Sequence, residues 1–306
     1  MNHKHWTNYW ENGAQTSLPH DFTGNYDGEI FDFWQQRVAE LKSGDSVLDV
    51  CTGNGAVALL IAEMALREGK QLNITANDIS EINTGYILKN NPPAQTDMID
   101  FISQTPLEEI NIDKPQDLIV SQYGLEYSDL NQSASSIARA LKPNGQLVFI
   151  AHSPKSAVFS FMKNEQAIYD WLAEVGLWRV FQSYAEEELN SQQFKKNVLS
   201  ILQSHRPNPV FRGEPLFTQW LQMIAQVRSS STAELARHKT QIKTFVEQHD
   251  FARLRCRDML KVSEKVSNEN WFTPLIDYGF QLLEKKPLYY DSQQLVGDCY
   301  QFCLTK

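Results

Sequence analysis

Residues 47–58 read VLDVCTGNGAVA, which joins an apolar run to a glycine turn and then to a run of small apolar residues. The first run predicts a buried strand, and the residues from Ala56 to about Leu66 predict a helix. In a doubly wound sheet, a strand, a Gly-x-Gly turn and a helix hold a nucleotide-like ligand where the strand order reverses. Gly53 and Gly55 suit such a turn, because the backbone takes positive φ there and a Cβ would collide with the ligand.

The residue before the turn separates two kinds of site. A dinucleotide site leaves the turn apolar for a pyrophosphate, and the spacing Gly53-x-Gly55-x-x-Ala58 also fits that relaxed pattern. Asp49, four residues before Gly53, would repel a pyrophosphate but suits a ligand that carries an ammonium and a sulfonium. At this point the chain resembles the class I S-adenosylmethionine (SAM) dependent methyltransferases, whose first motif is Asp-x-x-x-Gly-x-Gly. The alternative is an ordinary strand, turn and helix with an incidental Asp.

The composition is that of a globular protein. Of 306 residues, 42% are hydrophobic and 21% are charged, which is sufficient for a sizeable core. The formal net charge of -9 argues against a large nucleic-acid footprint. The four cysteines form no Cys-x-x-Cys pair, so we expect reduced thiols and no metal site. The sequence has no signal-peptide pattern and no apolar run of about 18 residues, which predicts a cytoplasmic protein with no membrane partner.

An aromatic segment precedes the glycine motif. It contains Trp6, Tyr9, Trp10 and Tyr26. Disordered tails are poor in aromatic residues, so we expect packed irregular structure. Residues 29–41 follow with apolar side chains at helical spacing. Residues 1–40 are therefore predicted to be an N-terminal cap segment and helix, and the resemblance implies that such a segment closes over bound SAM.

A second strand, Leu72–Ala76, is predicted to end at an acidic residue. Asp78 lies 25 residues after Gly53, near the position where an acid binds the ribose hydroxyls in nucleotide-binding folds. Its carboxylate can accept from both hydroxyls, although a helix N-cap is the alternative role for this residue. The resemblance implies that Ile79 lies against the adenine.

The resemblance also implies adenine contacts after the third strand, which is predicted around residues 98–103. An Asp is common there, whereas this chain has Gln104, which can both donate and accept. The predicted cofactor-binding set is Asp49, Thr52, Gly53, Asn54, Gly55, Asp78, Ile79, Gln104, Thr105 and Gln122.

The loop after the fourth strand, Asp117–Ser121, faces the methyl group in the resembled fold. It lacks the Asn/Asp-Pro-Pro-Tyr signature that is typical of enzymes methylating planar amines. Three residues near the methyl-facing side of the predicted site are candidates for a catalytic base, although each could equally be structural: Tyr123, Glu126 and His152.

The rest of the resembled domain follows in order. We predict a helix over residues 133–141, a tight turn over 142–145 and a fifth strand over 146–151. A last helix over 271–280 then precedes an antiparallel hairpin formed by residues 282–289 and 297–304. The resemblance covers residues 41–152 and 267–306. It implies an α/β protein with a doubly wound, Rossmann-like sheet and a C-terminal antiparallel hairpin.

Residues 153–266 remain as an insertion that is helical by pattern. The predicted helices are 157–172, 186–202, 216–227 and 232–262. The insertion has 16 Lys and Arg against 12 Asp and Glu, so it is mildly basic. An insertion at this place follows the carboxyl ends of the strands, which predicts a substrate cover. The alternative is a stabilising or dimerisation subdomain, and hence a possible homodimer.

These observations predict a SAM-dependent methyltransferase that acts on a nucleophile of a small molecule. A tRNA or protein methyltransferase is the second enzyme hypothesis, although the acidic balance does not favour nucleic acid. A SAM-binding regulatory or assembly subunit without turnover is the hypothesis from another class.

Overall fold

The computed structural model describes residues 3–17, 24–291 and 293–305. The chain divides into two compact units, one formed by Met1–Ala157 with Lys261–Lys306 and the other by Val158–Leu260. The predicted insertion, residues 153–266, extends a few residues beyond the second unit at each end. Its role as a substrate cover stays a prediction. Part of the predicted cap segment, residues 18–23, lies outside the described residues.

The first unit contains a seven-stranded sheet in the order β3-β2-β1-β4-β5-β7-β6. The strands are β1 (Ser46–Val50), β2 (Asn73–Asn77), β3 (Ile99–Ile102), β4 (Gln116–Gln122), β5 (Leu141–Ala151), β6 (Phe280–Tyr290) and β7 (Gln294–Leu304). The first five strands pair in parallel, while β7 is antiparallel to both β5 and β6. The predicted doubly wound sheet with a C-terminal hairpin is therefore confirmed.

Thirteen α-helices are found in the described residues. They are α1 (Lys4–Glu11), α2 (Gly28–Glu40), α3 (Ala56–Arg67), α4 (Thr84–Asn90), α5 (Pro93–Thr96), α6 (Leu130–Ala140), α7 (Ala157–Glu174), α8 (Leu177–Ala185), α9 (Ser191–Ser204), α10 (Pro215–Ser229), α11 (Thr232–Arg237), α12 (Lys239–Val266) and α13 (Thr273–Asp277). In this part of the chain every helix is too short or too polar to cross a membrane.

The core of the first unit forms where α2 and α3 pack on the sheet. All five residues of β1 are buried, as expected for a central parallel strand covered on both faces. Trp34 of α2 and Ile61 of α3 are fully buried in the same cluster as Val47 of β1. This packing places the carboxyl end of β1 between those of β2 and β4, where the strand order reverses.

Several element boundaries differ from the predictions for local reasons. Residues 142–145, predicted as a tight turn, form the irregular start of β5. Asn144 has φ 64°, and the pairing of β4 with β5 shifts register between Gln116 and Leu118 of β4. Helix α6 begins at Leu130, earlier than predicted, because the Asp129 side chain accepts from the Asn131 N–H and caps it. The last helix is only Thr273–Asp277, because β6 already begins at Phe280.

The second unit is entirely helical in its described residues. The sequence pattern missed α8, and it predicted as one helix the two helices α11 and α12, which meet at His238. The core is aromatic: Trp220, Phe181 and Phe194 are fully buried there. The buried Tyr169 hydroxyl and His249 Nδ1 are hydrogen-bonded at 3.1 Å.

We expect Gly297→Ala to lower the free energy of unfolding by about 1–3 kcal/mol. A Cβ on this β7 residue would lie 2.6 Å from the Ala151 carbonyl oxygen and 2.8 Å from Ile150 Cγ2, so β5 and β7 would have to separate. Gly85→Ala is the matched control, because the nearest atom to its Cβ, Asn83 Oδ1, is 3.8 Å away. In α4 this control should gain about 0.5–1 kcal/mol. Denaturant unfolding followed by circular dichroism measures both, and equal stability of the two variants would contradict the packing described.

Candidate active site

Three residues with left-handed backbones follow three of the parallel strands. Cys51, Gln104 and Tyr123 come after β1, β3 and β4 with φ of 56°, 54° and 53°. This conformation is costly for residues other than glycine, and it tends to be retained at functional sites. The Tyr123 N–H donates to the Ile150 carbonyl at 2.8 Å, which holds this strained turn against β5.

Asp49 is buried at the end of β1, 1% exposed. Its Oδ2 accepts from the Thr52 hydroxyl and, at 3.0 Å, from the Ala58 N–H. Its Oδ1 is buried with no hydrogen-bond partner among the described residues. Burial raises the pKa of this carboxyl to about 7, although the bonds from Thr52 and Ala58 oppose the shift. Asp49 therefore has one oxygen fixed by the turn and one free to meet a ligand.

Asp78 joins the end of β2 to the glycine turn. Its Oδ2 accepts from the Gly53 N–H at 2.7 Å, and its Oδ1 accepts from the N–H and the hydroxyl of Ser80. Burial raises the pKa of Asp78, and these donors oppose the shift. The N-cap alternative for Asp78 is wrong, because α4 is capped by Asn83, whose side chain accepts from the Tyr86 N–H.

Asn54, between the two glycines, faces the N-terminal segment. Its Nδ2 donates to the carbonyls of Trp10 at 2.9 Å and Ala14 at 2.7 Å, and its Oδ1 accepts from the Asn83 N–H. A Cβ on Gly53 would come within 3.0 Å of three atoms of the Trp10 ring. Asn54 thus binds the segment that covers the turn, and the predicted cofactor role of its side chain has no support in these contacts.

A cavity of about 30 Å³ lies at the end of β1 and β4. It is lined by Trp10, Gln15, Ser17, Tyr26, Asp49, Cys51, Thr52, Ala56, Val57, Gln122 and Tyr123. Gln122 Oε1 accepts from the Trp34 indole at 2.7 Å, whereas its Nε2 is buried without a partner in the part of the chain described. Asp49 Oδ1 and Gln122 Nε2 are thus an acceptor and a donor of this lining that are buried without a partner in the described residues.

This cavity is narrower than a nucleoside-sized ligand requires. A cavity of about 30 Å³ has room for about two or three waters, while small-molecule sites span roughly 300–1,000 Å³. Trp10 lies both in the cavity wall and against Gly53. Entry of a large ligand therefore requires that the segment carrying Trp10 move away from the glycine turn.

The remaining predicted cofactor residues lie outside this cavity wall. Ile79 is half-buried, and the Gln104 amide donates to Glu81 at 3.4 Å on the exposed side. The Thr105 N–H donates to the Asp78 carbonyl at 3.0 Å. The loop that carries them is thus tied to Asp78. The sequence analysis missed Gln15 and Ser17, whose residue types carry no motif.

The three candidate bases form one cluster at the ends of β4 and β5. The imidazole of His152 stacks on Tyr123, with centroids 4.6 Å apart, and meets the edge of Tyr127 at 6.1 Å. Glu126 Oε1 accepts from the His152 N–H at 2.8 Å, and the Tyr123 hydroxyl donates to the Val296 carbonyl at 2.9 Å. Burial raises the pKa of Glu126 to about 7 and lowers that of His152 to about 4. His152 is therefore neutral at pH 7.

Within residues 3–17, 24–291 and 293–305, no group of three or more His, Cys, Asp or Glu is arranged to hold a metal ion.

Comparison with known proteins identifies the family. Residues 22–197, more than half of the chain, match the family model described as a methyltransferase domain. The chain belongs to the class I SAM-dependent methyltransferases. Its sheet has the Rossmann-like topology of that family. No curated protein sequence is significantly similar to it.

Solved structures of methyltransferases align with this chain at low identity. The N-methyltransferase NodS from Bradyrhizobium japonicum WM9, in complex with S-adenosyl-L-homocysteine (SAH), is 11% identical over 99% of this methyltransferase and 100% of NodS, with a TM-score of 0.43. The glycopeptide N-methyltransferase MtfA complexed with SAM is 19% identical over 42% of this chain and 58% of MtfA, with a TM-score of 0.33. The citrinin polyketide synthase CMeT domain is 20% identical over 40% of this chain and 33% of that one, with a TM-score of 0.33. The methyltransferase thus spans less than two thirds of the last two proteins.

The residues of the cavity fit the amino-acid end of SAM. An α-amino acid carries an ammonium donor and a carboxylate acceptor, which match the free Asp49 Oδ1 and the free Gln122 Nε2. A buried acidic group with a raised pKa and one unsatisfied oxygen is stabilised when a cation binds to it.

Asp49 should give cofactor binding a pH dependence. Its charged form suits an ammonium, and that form is lost as pH falls through about 7. We expect the affinity for SAH to rise by up to about tenfold per pH unit below pH 7 and to level off above it. Calorimetry between about pH 5.5 and pH 7.5, where the ligand's ammonium stays protonated, measures this dependence. Asp49→Asn should bind weakly with a flat profile, and a flat profile in the wild-type protein would contradict the pairing.

Proposed function

We propose that this methyltransferase transfers the methyl group of SAM to a nucleophile on a small molecule. The observation that carries the proposal is the pair of buried polar atoms without a partner in the described residues, Asp49 Oδ1 and Gln122 Nε2. They belong to the wall of a cavity that Tyr123 also lines, and His152 stacks on Tyr123. Bound SAM supplies a methyl group already activated on a sulfonium. The protein then has mainly to position the acceptor and exclude water.

In this proposal each end of the cofactor has its own residues. Asp49 and Gln122 bind the methionine ammonium and carboxylate, and Thr52 fixes the Asp49 carboxylate. Asp78 binds the ribose hydroxyls, since a carboxylate with two oxygens has acceptor capacity beyond its three protein donors. The backbone of Gly53, Asn54 and Gly55 forms the turn, while Ile79, Gln104 and Thr105 lie toward the adenine.

Among the three candidate bases, we favour His152. Its imidazole stacks on Tyr123, which lines the cavity. Glu126 is the alternative base, because its Oε2 is buried without a partner among the described residues and burial raises its pKa to about 7. His152 is neutral at pH 7, and a neutral imidazole can take a proton from an acceptor that must lose one.

A small-molecule acceptor is supported by charge and by sequence. The net charge of -9 disfavours an extended nucleic-acid contact, and the signature for methylating planar amines is absent. A tRNA or protein acceptor is the second enzyme hypothesis, and a regulatory subunit without turnover is the third. We also propose a cytoplasmic location, from cysteine usage. A homodimer formed through the insertion stays a prediction.

SAH release tests the function and the base together. The protein is incubated with SAM and with the small-molecule or the macromolecular fraction of a cell extract. We expect SAH only with the small-molecule fraction, and a loss of about 100-fold or more in His152→Phe.

His249→Phe is the matched control, because it also replaces a buried imidazole whose pKa is lowered to about 4 and which packs on aromatic rings. Release with the macromolecular fraction alone would favour the second hypothesis, and SAH binding without any release would favour the third. Full activity of His152→Phe would remove His152 as the base.

The predicted cover role of residues 153–266 has a separate test. Residues 158–260, the second compact unit, are replaced by a glycine-serine linker that joins Ala157 to Lys261. We expect SAH affinity to be kept, because every proposed cofactor residue lies at or before Gln122, and turnover to be lost. Size-exclusion chromatography checks that the variant is folded and reports its oligomeric state. A soluble variant with full turnover would rule out the cover, and a dimer that becomes an active monomer would favour the assembly role.

A further inference from the structure

Lys265 lies in the last turn of α12 and belongs to the first unit. Its ammonium donates to the carbonyls of Glu126 at 2.9 Å and Ser128 at 2.8 Å. It also lies 5.5 Å from the centre of the Trp271 ring. Lys265 is partly buried, and surface ion pairing therefore does not explain its position.

The two carbonyls that Lys265 binds belong to the loop that follows β4. They lie at the end of the single-turn 3₁₀ helix Leu125–Tyr127, where carbonyl groups have no partner within the helix. A cation near a helix C-terminus is favourable for the same reason. Lys265 therefore fixes the end of this short helix, from which Glu126 and Tyr127 project.

The same loop sets the position of His152. Glu126 reaches from the loop to the His152 N–H at 2.8 Å, and the edge of Tyr127 meets the imidazole at 6.1 Å. A hydrogen-bonded path thus runs from the Lys265 ammonium through Glu126 to the backbone of His152.

We propose that Lys265 is a positioning residue for methyl transfer, which holds the loop after β4 so that His152 is correctly placed beside Tyr123. This inference rests on the proposed function. Lys265 has no contact with the cavity that fits the cofactor's amino-acid end, so its effect falls on turnover and leaves SAH affinity unchanged. Small displacements of a reacting group are sufficient to lower a rate strongly.

The test compares Lys265→Met, Lys265→Arg and the matched control Lys285→Met. Lys285 also lies over aromatic rings, 5.4 Å from Tyr300 and 5.8 Å from Phe272, but it donates to no carbonyl of the loop. We expect Lys265→Met to lower SAH release with the small-molecule fraction by about tenfold or more, with an SAH dissociation constant within about twofold of wild type. Lys265→Arg should recover part of the turnover, and Lys285→Met should match the wild type.

A spectroscopic measurement makes the test independent of turnover. Histidine labelled with ¹³C in the ring gives a signal for His152, assigned by its loss in His152→Phe and shifted by the stacked Tyr123 ring. We expect this signal to move in Lys265→Met and to stay in Lys285→Met. If Lys265→Met unfolds, Lys265→Gln, which keeps one amide donor, takes its place.

An unchanged His152 signal with unchanged turnover would overturn the proposal. A parallel loss of SAH affinity and turnover would also overturn it, because Lys265 would then support the cofactor site. If the wild-type protein releases no SAH with any fraction, the proposed function fails, while the His152 signal still decides whether Lys265 places that ring.

Discussion

The hydrogen bond from the Gly53 N–H to Asp78 joins the glycine turn to the neighbouring strand, and the proposed cofactor site depends on it. β1 and β2 run parallel, so their carboxyl ends are adjacent, yet the sheet alone does not fix the loops beyond them. The buried Asp78 carboxylate fixes these loops by accepting three hydrogen bonds, because leaving any of the three donors unpaired would cost about 1–3 kcal/mol. The glycine turn is consequently fixed where it faces the end of β2.

On its other side the same turn carries the N-terminal segment. Asn54 uses both amide hydrogens on carbonyls of that segment, and Trp10 packs on the face of Gly53. The segment makes further contacts with the neighbouring loops, among them Gln15 with the Asn54 carbonyl and Trp6 with Tyr127. None of residues 3–17 belongs to the core cluster of the sheet, so the segment can move without loss of the sheet. Movement of this segment away from the glycine turn widens the cavity, so the narrow cavity is compatible with a large ligand.

The sheet was predictable from sequence because its strands are apolar and its turns are marked by glycine, proline and acidic residues. Asp49 and Asp78 were predictable because their distance along the chain from the glycine turn is sufficient to place them where the strand order reverses. The contacts of Asn54 were not predictable, because its partners lie about 40 residues earlier, in a segment that was predicted to be irregular but begins with helix α1, which includes Trp10. Lys265 was missed for the same reason: its two carbonyl acceptors lie more than 130 residues away and carry no residue-type signal.

Burying acidic groups in the site costs free energy, and the charge of the ligand offers a reason for it. Burial raises the pKa of Asp49, Asp78 and Glu126, so each carboxylate is less stable in the fold than in water. In the proposed function, the cost at Asp49 is offset when the ammonium of SAM binds, whereas at Glu126 the Lys265 ammonium already opposes the shift of the pKa. Methyl transfer removes the sulfonium charge, so Asp49 attracts the product less than the substrate. In the proposed function, this buried acid thus favours binding of SAM before the reaction and release of SAH after it.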